Sequence, residues 1–235
     1  MKIFERFIDF KTAKKLKYDT TLPIDNPIFM DAVNNSPDVQ ITEHGLVIDA
    51  IRGQKKEQIG KKSVRTGVFY LPKSSKYISF YKGKYNYGGG NVFEGKIVIK
   101  NPIFVKGQTG GIAPENAYKK IKNISQLDFE TSLQNLIFRP NREEIKKFLI
   151  QYANVSKKVA DEDAWYIYIN SKEGNQLRYA LQEYVIAHVV RDAGYDCVLG
   201  YSKGKNGYFI SEIFDVRELN YPSHTEKPKI HKKFR

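Results

Sequence analysis

Leu46-Val47-Ile48-Asp49-Ala50-Ile51-Arg52-Gly53 is the stretch on which the fold turns. Five of its first six residues are apolar, so it reads as a buried strand that ends at the arginine and glycine. Working outward, Val68-Phe69-Tyr70-Leu71 reads as a short strand stopped by Pro72. Ser74-Ser75 could cap a short helix running through Tyr81. Gly88-Gly89-Gly90 marks a turn, and Val92 to Ile99 alternates as a strand that Asn101-Pro102 ends.

Beyond this cluster of strands the pattern turns helical. Pro114 stands where a first helical residue belongs, with Glu115 to Lys122 behind it. Asn141 and Glu144 have capping-box spacing before Ile145, Phe148 and Leu149. Trp165 to Ile169 reads as a strand. Residues 176–193 give the clearest helix, with Leu177, Leu181, Tyr184, Val185, His188 and Val189 on one face, closed by Gly194. A strand at 197–199, a glycine-rich turn from Lys203 to Gly207 and a strand from Tyr208 to Phe214 follow. Strands at both ends with helices between them predict an α+β fold. The organisation expected is an N-terminal extension over 1–45, a main domain over 46–219 and a basic tail over 220–235.

Composition narrows the class. The 235 residues hold 39 Lys plus Arg against 26 Asp plus Glu, a net charge of +13. Residues 52–106 carry 13 basic side chains and two acidic ones, so that window accounts for +11 of the total. Tyr70, Tyr77, Tyr81, Tyr85 and Tyr87 are interleaved with them. Basic groups among aromatics suit a phosphate backbone and stackable bases. Lys61, Lys62, Arg65, Lys82 and Lys84 are the candidate nucleic-acid contacts, and a solvated Lys-rich surface is the plain alternative. The single cysteine, Cys197, excludes an internal disulfide framework and a cysteine-based zinc site. The four histidines do not pair at helical spacing, so no metal site is expected. No apolar run is long enough to span a membrane, and the N-terminus lacks the apolar core of a signal peptide. A cytoplasmic protein with no membrane partner is the expectation. No phosphate-binding loop, dinucleotide fingerprint or nucleophile elbow is present.

Five ordered segments then carry a family resemblance. Ile51-Arg52-Gly53 resembles the first-strand arginine and glycine of ADP-ribosyltransferases of the Arg–Ser–Glu type, the compact domains of phage and mobile-element proteins. Gly67 to Ser75, followed by Tyr77 to Tyr81, resembles their second strand, hydroxyl turn and aromatic-bearing helix. Asn101-Pro102-Ile103 resembles their Asn-Pro-Leu, and Gly194-Tyr195-Asp196-Cys197-Val198-Leu199 their Gly-Tyr-Asp-Gly-Val-Ile turn. Glu212-Ile213-Phe214-Asp215 resembles their glutamate strand. The pattern departs from the family where Tyr70-Leu71-Pro72-Lys73-Ser74-Ser75 replaces a Ser-Thr-Ser run. It departs again at Ile210, where arginine-modifying relatives have Glu or Gln.

The resemblance implies a two-sheet core with a helical insertion, NAD as substrate, and transfer of ADP-ribose to a macromolecule. It gives Glu212 the oxocarbenium-like centre that forms as the nicotinamide–ribose bond breaks. It gives Arg52 the pyrophosphate or ribose, with Arg65 as its rival, because a guanidinium fork makes paired hydrogen bonds. Ser75 or Ser74 would orient these groups. Gly53, Tyr70, Tyr77 and Tyr81 would line the cofactor site. The charge favours RNA or DNA as acceptor over protein. The role expected is that of a toxin, a phage-defence effector or a phage-encoded modifier, with an antitoxin as a possible partner. Two other classes stay open. Glu94-Gly95-Lys96 with Asp49 has the residue types of an Mg²⁺-dependent nuclease. A basic nucleic-acid-binding module with no catalysis needs only the lysines and tyrosines.

Overall fold

The computed structural model describes residues 22–54, 64–75, 91–107, 112–122, 124–171 and 174–217. They form a mixed α+β fold of seven strands and six helices. In chain order these are α1 (Pro27–Asn34), β1 (Val39–Thr42), β2 (Gly45–Gln54), β3 (Val68–Pro72), β4 (Asn91–Ile99), β5 (Pro102–Lys106), α2 (Ile112–Ile121), α3 (Gln126–Phe138), α4 (Arg142–Ala153), α5 (Lys157–Asn170), α6 (Gly174–Asp192), β6 (Cys197–Gly204) and β7 (Gly207–Asp215).

The strands make one curled half-barrel in the order β1-β2-β3-β7-β6-β5. β4 covers one edge of β2 along its whole length, from Leu46↔Ile99 to Gln54↔Asn91. The other edge of β2 is shared by β1, through Val39↔Ile48, and β3, through Ile51↔Leu71. β3 therefore joins the β1–β2–β4 part of the sheet to the β7–β6–β5 part. The β1–β2 hairpin depends on Gly45, at φ +120°, where a Cβ would lie 2.4 Å from the Ile99 carbonyl oxygen. β5 and β6 are parallel. Parallel neighbours need a long crossover, and helices α2 to α6 supply it.

Strand alternation divides the core between two faces. One face carries Leu46, Ile48, Ala50, Ile97, Ile99, Leu199, Ile210 and Ile213, packed with Phe29, Met30 and Val33 of α1. The other carries Ile103, Val105, Val198 and Phe214 against Leu133, Leu149, Leu181 and Val185 of the helices. Residues 184–190 of α6 are all buried, before the exposed Arg191 and Asp192 of its last turn. Gly194, at φ +88°, ends the chain's turn out of α6.

Most expected elements are present. Trp165–Ile169 is the exception, since it forms the last turns of α5 and not a strand. Ala160, Ala164 and Ile167 bury one helical face, and the Ser156 hydroxyl accepts the N-terminal N–H of Val159. The aromatics that suggested a strand lie outside, with Trp165 48% exposed. Helix α1 had no sequence reading; Asn26 caps it through the N–H groups of Ile28 and Phe29. Asn141 caps α4 as its spacing predicts, accepting from Glu143 and Glu144.

Candidate functional site

Arg52 sits near the end of β2, opposite Phe93 of β4, and is only 9% exposed. Alternation puts it on the face of Leu46, Ile48 and Ala50. Its guanidinium carbon lies 5.9 Å from the centre of the Tyr70 ring on the neighbouring strand. Burial pushes the Tyr70 hydroxyl above its ordinary pKa, and the Arg52 charge works against that shift. Gly53 follows in the same strand, opposite Val92.

Glu212 is set by an irregularity in β7. The ladder pairs Gly200 with Glu212 and then Tyr201 with Ile210, so Ser211 is an extra residue, a β-bulge. The hydroxyls of Ser211 and Ser202 both donate to the Gly107 carbonyl, at 2.9 and 2.6 Å, which fixes the bulge. Glu212 is 3% exposed, and among the described residues its Oε2 has no hydrogen-bond partner. Desolvation pushes its pKa up to about 7. Glu183 of α6 is pushed up to about 7 as well, by burial first and by the Glu212 charge second. Two carboxyls that titrate near neutrality can give and take protons at working pH. Sequence reading missed Glu183, because it sits one position off the apolar stripe of α6 and belongs to no motif.

The fold brings together Arg52 and Tyr70, and it brings together Glu212 and Glu183. It does not bring the two pairs together. Glu212 shares the helix-facing side with Phe214, whose ring stacks on Phe69 at 4.3 Å. Arg52 and Tyr70 lie on the opposite side of the same sheet.

Arg65 is on the helix-facing side. It donates to Asp163 Oδ1 at 2.8 Å and to Glu162 Oε2 at 3.0 Å. The Tyr184 hydroxyl donates to the other Asp163 oxygen at 2.6 Å. His188 stacks on Tyr184 at 4.5 Å and is pushed down to about 4, by burial first and then by the Arg191 charge. This arrangement pins the chain before β3 onto α5 and α6.

The Ser74 backbone N–H donates to the Asp38 carboxylate, and the Ser75 N–H closes a turn onto the Pro72 carbonyl at 2.9 Å. Tyr77, Tyr81, Lys61, Lys62, Lys82 and Lys84 lie outside the described residues, as does the expected helix from Ser75 to Tyr81. Two resemblance segments meet directly. The Asn101 side chain donates to the Gly194 carbonyl at 2.7 Å, and the Lys100 N–H donates to Asp196 at 2.6 Å.

The nuclease candidates share one face of the sheet. Asp49 pairs with Lys96 and Ile51 with Glu94, so Asp49 and Glu94 are diagonal neighbours, with Cα atoms roughly 7–8 Å apart. Each is ion-paired, Asp49 with Lys96 at 3.0 Å and Glu94 with Lys73 at 3.5 Å. Among the described residues no group of three or more His, Cys, Asp or Glu could hold a metal ion. No described helix is long and apolar enough to cross a membrane.

Comparison with protein-family models, with curated protein sequences and with solved structures finds no match to this chain.

Proposed function

We propose that the chain is an NAD-dependent ADP-ribosyltransferase that modifies a macromolecule, with nucleic acid as the favoured acceptor. One observation carries the reading. A buried glutamate with a bare oxygen, held near neutrality, stands on the strand where the resemblance puts the catalytic carboxylate. The direct contact between the Asn101 and Gly194 segments adds support. The strands form one continuous curled sheet where the resemblance implies two, so the fold supports the reading only at the level of an α+β class.

In the reaction the bond from ribose C1′ to the nicotinamide nitrogen breaks, and the bond's electron pair leaves with nicotinamide. The ionised Glu212 stabilises the positive charge that develops at the ribose. An acceptor oxygen or nitrogen bonds to C1′, and its proton passes to the carboxyl pair. We assign the pyrophosphate to Arg65, on the Glu212 side, because Arg52 lies across the sheet, where the same NAD molecule does not reach.

The test is incubation with labelled NAD and, separately, RNA, single-stranded DNA, duplex DNA and a cell lysate. Label on one polymer, absent with Glu212→Gln, is the expected result. No label and no released nicotinamide would overturn the proposal. NAD titration of Arg65→Ala should show a larger affinity loss than Arg52→Ala. The reverse order would give the guanidinium role to Arg52 and set NAD on the face opposite Glu212.

A second reading has its own observation, the placement of Asp49, Glu94 and Lys96 on one face. It makes the chain an Mg²⁺-dependent nuclease. Cleavage of nucleic acid with Mg²⁺, lost in Glu94→Gln, would support it; nucleic acid left intact would exclude it.

A further inference from the structure

The far end of the half-barrel carries a basic, aromatic surface that the residues discussed so far do not use. Lys106 at the end of β5 pairs in register with Tyr201 of β6, and Lys203 of β6 pairs with Tyr208 of β7. Paired residues point the same way, and Tyr201 and Lys203 are two apart on one strand, so all four side chains share one face. The Tyr201 and Tyr208 rings meet edge to face at 5.5 Å, and the Lys203 ammonium lies 5.8 Å from the Tyr208 ring centre. Lys205 stands in the turn between β6 and β7. The three lysines are exposed and the tyrosines partly so. No carboxylate among the described residues pairs with any of the three ammonium groups. Asp31 of α1 is committed elsewhere. Its carboxylate accepts from the Tyr208 N–H at 2.7 Å and from Asn35 at 3.0 Å. The Tyr208 bond, with the Ile210 N–H donating to the Ser36 hydroxyl at 2.8 Å, ties β7 to α1.

We infer that this β5–β6–β7 end binds single-stranded nucleic acid, with Lys106, Lys203 and Lys205 on phosphates and the partly exposed Tyr208 ring available to bases, backed by the Tyr201 ring that stacks on Phe104 at 4.4 Å. Cations that no described carboxylate pairs, beside a stackable ring, are what a single strand selects, whereas a simple polyanion needs only the cations. The inference rests on the nucleic-acid part of the proposed function and gives nucleic acid a surface, on the face of the sheet opposite Glu212. Its test reads binding alone, without NAD, so it can fail or stand apart from the transferase reading.

The experiment is fluorescence anisotropy of a fluorescein-labelled 20-nucleotide oligo(U), titrated with protein from 25 to 200 mM KCl. Two triple variants are compared with the unmodified chain, Lys106→Ala/Lys203→Ala/Lys205→Ala and Lys147→Ala/Lys157→Ala/Lys158→Ala. Both remove three positive charges from exposed positions, and thermal melts check that both are folded. The first should bind at least tenfold more weakly at 50 mM KCl. Its salt slope should shrink by about 2, at about 0.7 per phosphate contact for a single strand. The second should stay within about twofold. Tyr208→Leu should weaken oligo(U) binding severalfold and leave heparin binding unchanged. Equal losses in the two triple variants would reduce the effect to net charge and overturn the inference. No loss in either would also overturn it, as would a Tyr208→Leu variant that binds oligo(U) normally.

Discussion

Replacing Glu212 by Gln should make the protein more stable in neutral and alkaline solution while removing the proposed transfer. The carboxyl is raised from 4.5 to about 7 in the fold. At about 1.4 kcal/mol per pH unit, keeping it ionised inside costs on the order of 3 kcal/mol. Its folded pKa is above its unfolded one, so the stability it contributes is present below pH 4.5 and lost as pH rises through 7. His188 has the opposite sign. It is lowered from 6.5 to about 4, so its contribution is present above pH 6.5 and lost as pH falls through 4, again by about 3 kcal/mol. Glu183, raised to about 7 by burial first, has the same sign as Glu212. Between pH 4.5 and 6.5 two carboxyl slopes therefore oppose one histidine slope. The unmodified protein should melt at a lower temperature as pH rises across that window. In Glu212→Gln the slopes of Glu183 and His188 nearly cancel, so its melting temperature should be nearly constant there. At pH 8 it should exceed that of the unmodified protein by roughly 10 °C, at 2–4 °C per kcal/mol for a chain of this size. His188→Gln leaves both carboxyls unopposed and should lose stability most steeply as pH rises. Scanning calorimetry from pH 4 to 8 reads all three curves. Parallel curves for the unmodified protein and Glu212→Gln would refute the claim that Glu212 is buried without a partner.

Other outcomes follow from the same geometry. Arg65→Ala strands Asp163, whose side chain is 4% exposed, and should cost about 3 kcal/mol in urea unfolding. Adding Asp163→Asn should recover part of that loss, and a further loss would contradict the pairing. Gly45→Ala should cost about 3 kcal/mol, because both the positive φ and the Ile99 carbonyl resist a Cβ; unchanged stability would mean the hairpin turn is built differently.

The strands were legible because their signals are local. Leu46–Ile51, Val68–Leu71 and Val92–Ile99 are short apolar or alternating runs with glycine or proline at their ends, and each is a strand within a few residues of its expected bounds. Asn141 and Gly194 declared helix ends through side-chain and backbone chemistry that needs no tertiary context. Trp165–Ile169 misled because aromatic and β-branched residues suit a strand, while the small alanines that bury α5 carry little pattern. The site was legible only in part. Arg52 and Glu212 can be named from motifs, but which face each occupies depends on register, and the Ser211 bulge is invisible before pairing. Glu183 acquires meaning only once α6 packs against the helix-facing side of the sheet, where its carboxyl feels the Glu212 charge.

The clasp between α1 and β7 also bears on how the chain reaches this state. The Tyr208 N–H donates to Asp31 across 177 residues of sequence, and the Ile210 N–H donates to the Ser36 hydroxyl across 174. β7 leaves the ribosome after every other described strand, so α1 waits through nearly the whole synthesis for the surface that covers it. Such distant pairings make for slow folding, since loop closure precedes the contacts that reward it. Glu212 is on that same last strand. A nascent chain therefore holds no assembled carboxyl pair until translation has passed β7, which keeps any chemistry of that pair out of the unfinished protein.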